Sequence, residues 1–325
     1  MRVHILALDG VFDTGLSTLL DTLSVANGLS AAAGTPGVRF DVTVAGVRRR
    51  PRTAQGLFVP ALAAAHCPQP DVALVPALGA KTPQTLQAAL RHRDVSAAVP
   101  LLRRWAAAGA LLGSACTGTF VLAGTSLLDG HGATTSWWLA PFFRERYPRV
   151  RLDESRMVVS APGCVTAGAA LAHVDLALWL IRRASPALAT MVARYLLIEP
   201  RASQSLFAIP DHLAHADPLV ERFEQWARDG LGTRFSLTKA AAAAGTSERT
   251  LSRRLRAVLG KSPLAYFQDL RIERAMHLLR TSHDSIDRIA GQVGYAEGAT
   301  LRALLRRKTG RTISELRARS AGRTE

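Results

Sequence analysis

Ser247-Glu-Arg-Thr-Leu-Ser-Arg-Arg-Leu-Arg-Ala-Val-Leu259 is the stretch that decides how the C-terminal part of this chain folds. Leu251, Leu255, Val258 and Leu259 recur at helical spacing and make one apolar stripe, which leaves Arg249, Ser252, Arg253 and Arg256 facing outward. Ser247 stands where its hydroxyl can accept from the free amides of the first turn. Just upstream, Lys239 to Ala244 predicts a short helix and Gly245-Thr-Ser a turn, so the unit reads as a helix-turn-helix. The unit then returns. Ser285-Ile-Asp-Arg-Ile-Ala290 predicts a first helix, Val293-Gly-Tyr-Ala-Glu297 a turn, and the stretch to Lys308 a second helix with Leu301, Leu304 and Leu305 buried. Between the copies, Pro263 to Arg280 predicts one helix with Ile272, Ala275, Met276 and Leu279 on a face. Two recognition helices fixed to one rigid bridge can enter successive major-groove turns of a duplex.

Charge agrees with that reading. The 325 residues carry a formal net charge of +16, and Leu231 to Glu325 alone holds 19 Lys+Arg against 8 Asp+Glu, a net of +11. The first 230 residues net only +5. A basic segment joined to a nearly balanced one fits a polyanion-binding module attached to something else. With 48% hydrophobic and 20% charged residues the chain is far from the composition of disorder. No apolar run is long enough to span a bilayer, and Met1-Arg-Val-His-Ile-Leu reaches Asp9 too soon for a signal peptide, so a cytoplasmic, nucleoid-associated location and no membrane partner are expected. Cys67, Cys116 and Cys164 lie almost fifty residues apart, which disfavours disulfides, zinc sites and redox motifs. Cys67 and Cys164 read as small buried hydrophobes, and neither metal nor cofactor is expected.

The first half alternates. Val3 to Leu8, Phe40 to Val47, Asp71 to Val75 and Ala110 to Ala115 are short apolar runs that predict buried strands, and Leu16 to Ala33, Thr82 to Arg91 and Val95 to Ala108 predict helices between them. Strand and helix in alternation imply a parallel sheet covered on both faces. Met157 to Ser160 predicts a later strand, and Thr166 to Arg183 a long apolar helix. The proline-bearing stretch after Leu197 has no sustained period, so the domains are expected at 1–197 and 217–325, with a linker at 198–216. Asp217 to Arg228 resumes a helical period and stops at Gly230.

Several motifs now combine. Ser247-Glu-Arg-Thr-Leu-Ser-Arg-Arg-Leu, Gly260-Lys-Ser-Pro-Leu-Ala-Tyr266, Arg271-Ile-Glu-Arg-Ala-Met-His-Leu-Leu279, Ile289-Ala290, Gly294-Tyr295 and Thr309-Gly310 resemble the AraC/XylS-type regulators across about 80 residues. That resemblance implies that Arg249, Thr250, Ser252, Arg253 and Arg256 meet DNA from the first recognition helix, and Gly298, Ala299, Thr300, Arg302 and Ala303 from the second. An arginine there can hold guanine O6 and N7 or clamp phosphate. The second copy departs from the family pattern: Ala303 stands where a longer polar chain is common, Leu301 or Leu305 where an aromatic is, and Thr312-Ile313 where Ser-Pro is usual. It is therefore expected to grip backbone more than to read bases.

The N-terminal half resembles the PfpI-type, glutamine-amidotransferase-like domain that GlxA-type regulators fuse to an AraC-type module. The matching residues are Asp9-Gly-Val-Phe-Asp13, Ala115-Cys-Thr-Gly118, Leu127-Leu-Asp-Gly130, Ala133-Thr-Thr135 with Trp137, Thr166-Ala-Gly168 and Asp175-Leu-Ala-Leu178. The fold expected is an α/β flavodoxin-like parallel-sheet domain followed by an all-α double helix-turn-helix domain. Cys116 falls at a strand-to-helix turn, which is the geometry of a nucleophile and also suits a buried cysteine that only packs beside a tight turn. Superfamily enzymes often put a histidine directly after that cysteine, where this chain has Thr117, and GlxA-type proteins commonly follow Ala-Thr-Thr with a histidine where Ser136 stands. The preferred expectation is a small-ligand pocket at Asp13, Cys116, Thr117 and Ser136 without catalytic residues. The alternative is a hydrolase or hydratase that attacks an amide, nitrile or isonitrile through Cys116 with Asp13 as acid, which would need His4 or His173 to approach. Expected partners are double-stranded DNA, a small-molecule effector, a second copy of the chain and RNA polymerase.

Overall fold

Val3, Ile5 and Ala7 belong to one buried cluster and Leu6 and Leu8 to another, so a single strand feeds two cores through the two-residue period of its side chains. The structure is a computed structural model and describes residues 1–32, 38–199, 201, 203–204, 217–310 and 312–321. That strand is β1 (Arg2–Ala7), followed by β2 (Asp41–Gly46), β3 (Leu62–Ala63), β4 (Val72–Val75) and β5 (Leu111–Ala115). A separate pair, β6 (Gly132–Ala133) and β7 (Arg151–Leu152), precedes β8 (Val158–Ala161) and β9 (Cys164–Ala167). The large sheet runs β3-β2-β1-β4-β5-β9-β8, parallel throughout except for the β8–β9 hairpin. This is the expected flavodoxin-like doubly wound order with an antiparallel strand added at one edge.

Helices cover both faces because every central strand is apolar on both sides. One layer holds α1 (Asp13–Ala32) with two later helices; the other holds α2 (Pro83–Leu90), α3 (Arg93–Ala107), α4 (Gly118–Ala123) and α5 (Ala140–Arg146). The helix expected over 166–183 needs correction. Cys164–Ala167 is β9, turned back from β8 through Gly163 at φ +68, and the helix α6 begins only at His173 and ends at Ala184. A four-residue apolar run carries too little period to separate a buried strand from a buried helix. Next, α7 (Pro186–Tyr195) joins α1 and α6, its first turn capped by Ser185.

The fold divides into two compact units, Met1–Ser205 and Leu206–Glu325. Within the stretch expected as linker, Arg201, Ser203 and Gln204 are bonded into the first unit, while 205–216 lie outside the described residues. The second unit comprises α8 (Pro218–Asp229), α9 (Leu237–Ala243), α10 (Glu248–Leu259), α11 (Pro263–Thr281), α12 (Ile286–Gln292), α13 (Gly298–Thr309) and α14 (Ile313–Ala321). Ser236, Ser247, Ser262 and Ser285 each accept from a first-turn amide, a contribution of about 1 kcal/mol per cap. Gly260 and Gly310 close α10 and α13 at φ +67 and +70, left-handed positions that suit glycine. There are two small cores. Tyr266, Phe267 and Leu270 of α11 belong to the first, and Ile272, Ala275 and Leu279 to the second. Arg271 stitches them together: its guanidinium lies 4.7 Å from the Phe267 ring centre and 5.3 Å from that of Tyr295, and it donates to the Leu231 and Thr233 carbonyls.

Candidate functional site

Helix α10 shows which of its side chains are free. Leu251, Leu255 and Leu259 are buried, and Ser247 caps the helix as its sequence position requires. Glu248 accepts from Thr238 Oγ1 at 2.6 Å, and Arg254 pairs with Asp217. Asp217 also caps α8 through the Leu219 and Val220 amides. Burial works against its carboxylate, but those amides and the Arg254 guanidinium outweigh it and hold the pKa below the ordinary value. Arg254 is thereby absorbed into the fold. Arg249, Arg253 and Arg256 remain exposed at spacings of four and three, one stripe of forks facing solvent, with Thr250 and Ser252 half-buried beside them.

Helix α13 repeats α10 at an offset of 50 residues: Leu301 and Leu305 are buried as Leu251 and Leu255 are, and Gly310 matches Gly260. Its exposed face carries Ala299, Thr300, Arg302 and Ala303. Gly298 does not belong to that face. It is buried, its amide donates to Asp287 Oδ1 at 3.1 Å, and a Cβ there would lie 2.4 Å from the same oxygen. Its place is close packing of α13 on α12, apart from the exposed residues beside it. Sequence reasoning missed Arg306 and Arg307, both exposed near the end of α13. The 50-residue offset, which sets Arg306 opposite Arg256, was the signal that could have found them. Lys308, pushed down to about 8 by burial and by nearby Lys261, shares Asp269 with that lysine and serves packing.

In the first unit Cys116 joins β5 to α4 with φ +55, a left-handed non-glycine conformation that costs about 1–3 kcal/mol unless its surroundings impose it. They do. Its amide donates to Ala167 O at 2.9 Å, its carbonyl accepts from Thr135 Oγ1 at 2.7 Å, and its Sγ lies 2.8 Å from Ser136 Oγ. Gly118 allows the turn to press on β4, since a Cβ there would sit 2.4 Å from Val75 O. Burial raises the Cys116 pKa against the opposing hydrogen bonds from Ser136 and Thr117, so the group stays a thiol at neutral pH.

The other expected pocket residues separate into two kinds. Thr117 is fully engaged: its hydroxyl donates to Leu78 O and accepts from Leu78 N, both at 2.8 Å. It serves as a structural clip between the turn and the loop after β4. Asp13 is different. Its Oδ2 accepts from the Gln55 amide at 3.1 Å, while Oδ1 is buried with no hydrogen-bond partner. The loop after β4 ties the Asp13 and Cys116 segments to one sheet edge, since Ala77 O accepts from the Phe12 amide and Leu78 holds Thr117. His173 Nε2 accepts from Ala77 N at 3.0 Å and its Nδ1 lies 2.6 Å from Ala170 O, so both ring nitrogens are committed to backbone. Burial lowers its pKa to about 4. His4, also lowered by burial, packs edge-on to Trp105. Neither imidazole is hydrogen-bonded to Cys116. Among the described residues no cluster of three or more His, Cys, Asp or Glu could hold a metal, and no helix is long and apolar enough to cross a membrane.

Comparison with known proteins bears on both units. Residues 240–319 match the family model of a helix-turn-helix domain. The HTH-type transcriptional regulator GlxA of Rhizobium meliloti is 30% identical over 232 residues, covering 70% of this chain and 71% of that protein. The HTH-type transcriptional regulator CdhR of Pseudomonas aeruginosa is 28% identical over 207 residues, or 61% of this chain and 60% of that one. Among solved structures, an AraC family transcriptional regulator from Pseudomonas putida is 25% identical with a TM-score of 0.50, covering 60% of this chain and 98% of its own. A parallel-sheet α/β unit joined to a helix-turn-helix unit, together with the likeness to GlxA, assigns this chain to the GlxA-type family of DNA-binding transcriptional regulators.

Proposed function

We propose that this regulator reads a specific DNA site chiefly through Arg249, Arg253 and Arg256 of α10, with Thr250 and Ser252 beside them, and steadies itself through Thr300, Arg302, Arg306 and Arg307 of α13. The observation that carries this reading is the arginine stripe on α10, which has no acidic partner among the described residues and projects from a capped, well-packed helix. Three forks on one face suit guanine O6 and N7, whereas the exposed alanines of α13 suit at most a thymine methyl. The working division is a sensing part at 1–197, a connection at 198–216 and a DNA-binding part at 217–325. The α/β part pairs two copies of the chain, so that two tethered modules share one repeated site and gain effective concentration there. RNA polymerase is the partner through which such a complex would act on transcription.

Selection of genomic fragments bound by the full-length chain, followed by titration across salt, tests this reading. The expected result is a shared motif of two half-elements about one helical turn apart, with affinity falling steeply as salt rises. Binding without any motif would reduce the second unit to a nonspecific basic module.

The crevice at Asp13, Cys116 and Ser136 is proposed to hold a small polar effector without chemistry. A thiol raised by burial and lacking a hydrogen-bonded base is poorly placed to attack carbon, and the unpartnered Asp13 Oδ1 offers an acceptor to a ligand hydroxyl or amide. The hydrolase or hydratase reading is not favoured. Cys116→Ala is expected to keep DNA binding and its response to effector, and wild type to show no turnover of amide, nitrile or isonitrile substrates. Turnover that disappears in Cys116→Ala would reverse the assignment.

A further inference from the structure

Arg201, Ser203 and Gln204 begin the connection between the units, and they are built into the α/β fold. Ser203 forms an isolated antiparallel bridge with Arg156, and both the Ser203 hydroxyl and the Gln204 amide donate to Ser155 O, at 2.7 and 3.0 Å. Arg201 donates to Leu171 O and pairs with Asp175. The Gln204 side chain is wholly buried. Its Nε2 donates towards Thr135 O at 2.9 Å, Thr134 Oγ1 at 3.1 Å and Arg156 O at 3.3 Å. Thr134 Oγ1 donates to Arg156 O, so all three neighbours act as acceptors and identify this end of the carboxamide as the nitrogen. Gly168 makes the socket, since a Cβ there would lie 2.5 Å from Nε2. The other end, Oε1, is buried with no hydrogen-bond partner, a cost that a space-filling residue would avoid.

The segment that receives Gln204 is the one that lines the elbow. Thr135 Oγ1 donates to Cys116 O, Ser136 Oγ meets Cys116 Sγ, and Thr135 O holds Gln204. One residue thus presents its hydroxyl to the elbow and its carbonyl to the root of the interdomain connection. We propose that Gln204 is a latch: a ligand seated against Cys116 and Ser136 displaces Thr135, loosens Gln204 and changes how Arg201, Ser203 and Gln204 tether the chain that continues to α8. The trigger rests on reading the elbow as a ligand pocket, whereas the latch can be tested without any ligand. Linkage makes the coupling reciprocal, so DNA occupancy also biases the elbow.

A double-mutant cycle in the full-length chain, read by the dissociation constant for a DNA duplex recovered by selection, tests the latch. Thr135→Val removes the bond to the elbow and Gln204→Ala removes the latch. Gly168→Ala fills the socket and expels the carboxamide without altering Gln204. Gln204→Glu keeps the volume but turns a donor into an acceptor that faces three acceptors. Each single change is expected to shift Kd by about threefold or more in one common direction. Thr135→Val is expected to change little further once Gln204→Ala is present, because its route has been cut. Thermal unfolding of each variant identifies one that fails to fold, in which case Gly168→Ala and Gln204→Glu carry the test. Effects of Thr135→Val and Gln204→Ala that simply multiply would overturn the latch, as would a Gln204→Glu protein with wild-type Kd. A coupled cycle together with DNA affinity that no metabolite alters would fault the pocket reading instead and leave the latch standing.

Discussion

Arg253→Ala is expected to abolish base preference at one position of the selected motif while the rest of the motif survives. A well-formed bidentate arginine–guanine pair discriminates by about 1–3 kcal/mol, which corresponds to a preference of roughly five- to 150-fold. Arg253 is the residue to choose because it lies mid-stripe, between Arg249 and Arg256, on a helix whose cap and core are in place. Its neighbour Arg254 would mislead, since truncating it leaves the buried Asp217 carboxylate without its guanidinium and loosens α8. Arg302→Ala provides the contrast. Its position corresponds to Ser252, not to Arg253, in the 50-residue offset, and Ala303 occupies the place of Arg253. Removing Arg302 is expected to weaken all sequences about equally and to lower the salt slope by about 1. Repeating the selection with each variant and counting base frequencies checks both expectations. Equal loss of preference in the two variants would sink the asymmetric reading of the half-elements.

The recognition units were legible because their signals are local. Ser247, Leu251 and Leu255 announce α10 by cap and period, and the observed Glu248–Leu259 coincides with the helix read from them. The alternation of strands and helices in the first half likewise follows from the apolar runs that became β1, β2, β4 and β5, whereas the two-residue β3 is too short to leave a pattern. Two kinds of information were out of reach. One is the choice between strand and helix for Cys164–Ala167, which depends on the partner offered by β5. The other is occupancy of polar groups. Nothing in the sequence says that Thr117 is consumed by Leu78, that Asp287 has taken the Gly298 amide, or that Gln204 reaches Thr135 across 69 positions of chain. The candidate site was legible as a set of residue types at a turn, but which members stay free is settled by long-range hydrogen bonds that leave no periodic trace.

Stability of the α/β unit is expected to fall as pH drops from 6.5 to 4, by roughly 3 kcal/mol from His173 alone. The sign follows from proton counting. An unfolded histidine takes up its proton near 6.5, whereas the folded His173 resists until about 4, so between those values the unfolded state binds more protons and acid favours it. Above 6.5 the contribution is constant, and below 4 no further loss accrues. The geometry gives the cause: Nε2 already accepts the Ala77 amide, and a proton on Nε2 would face that N–H with another, inside a site that admits no water contact. Gly15 leaves no room to swing away, since even a Cβ on it would sit 2.5 Å from Nε2. Denaturant titrations of the full-length chain across this range, compared with His173→Gln, isolate the histidine from the carboxylates that titrate alongside it. The variant is expected to be less stable at neutral pH and to lose the extra acid slope; parallel curves for the two proteins would contradict the assignment. Hydrogen exchange should locate the first opening at the loop after β4. Ala77 accepts from Phe12 and donates to His173, and Leu78 clips Thr117, so releasing this loop frees the Asp13 and Cys116 segments together. His173, committed to backbone at both ring nitrogens, thereby sets how firmly these two segments are held.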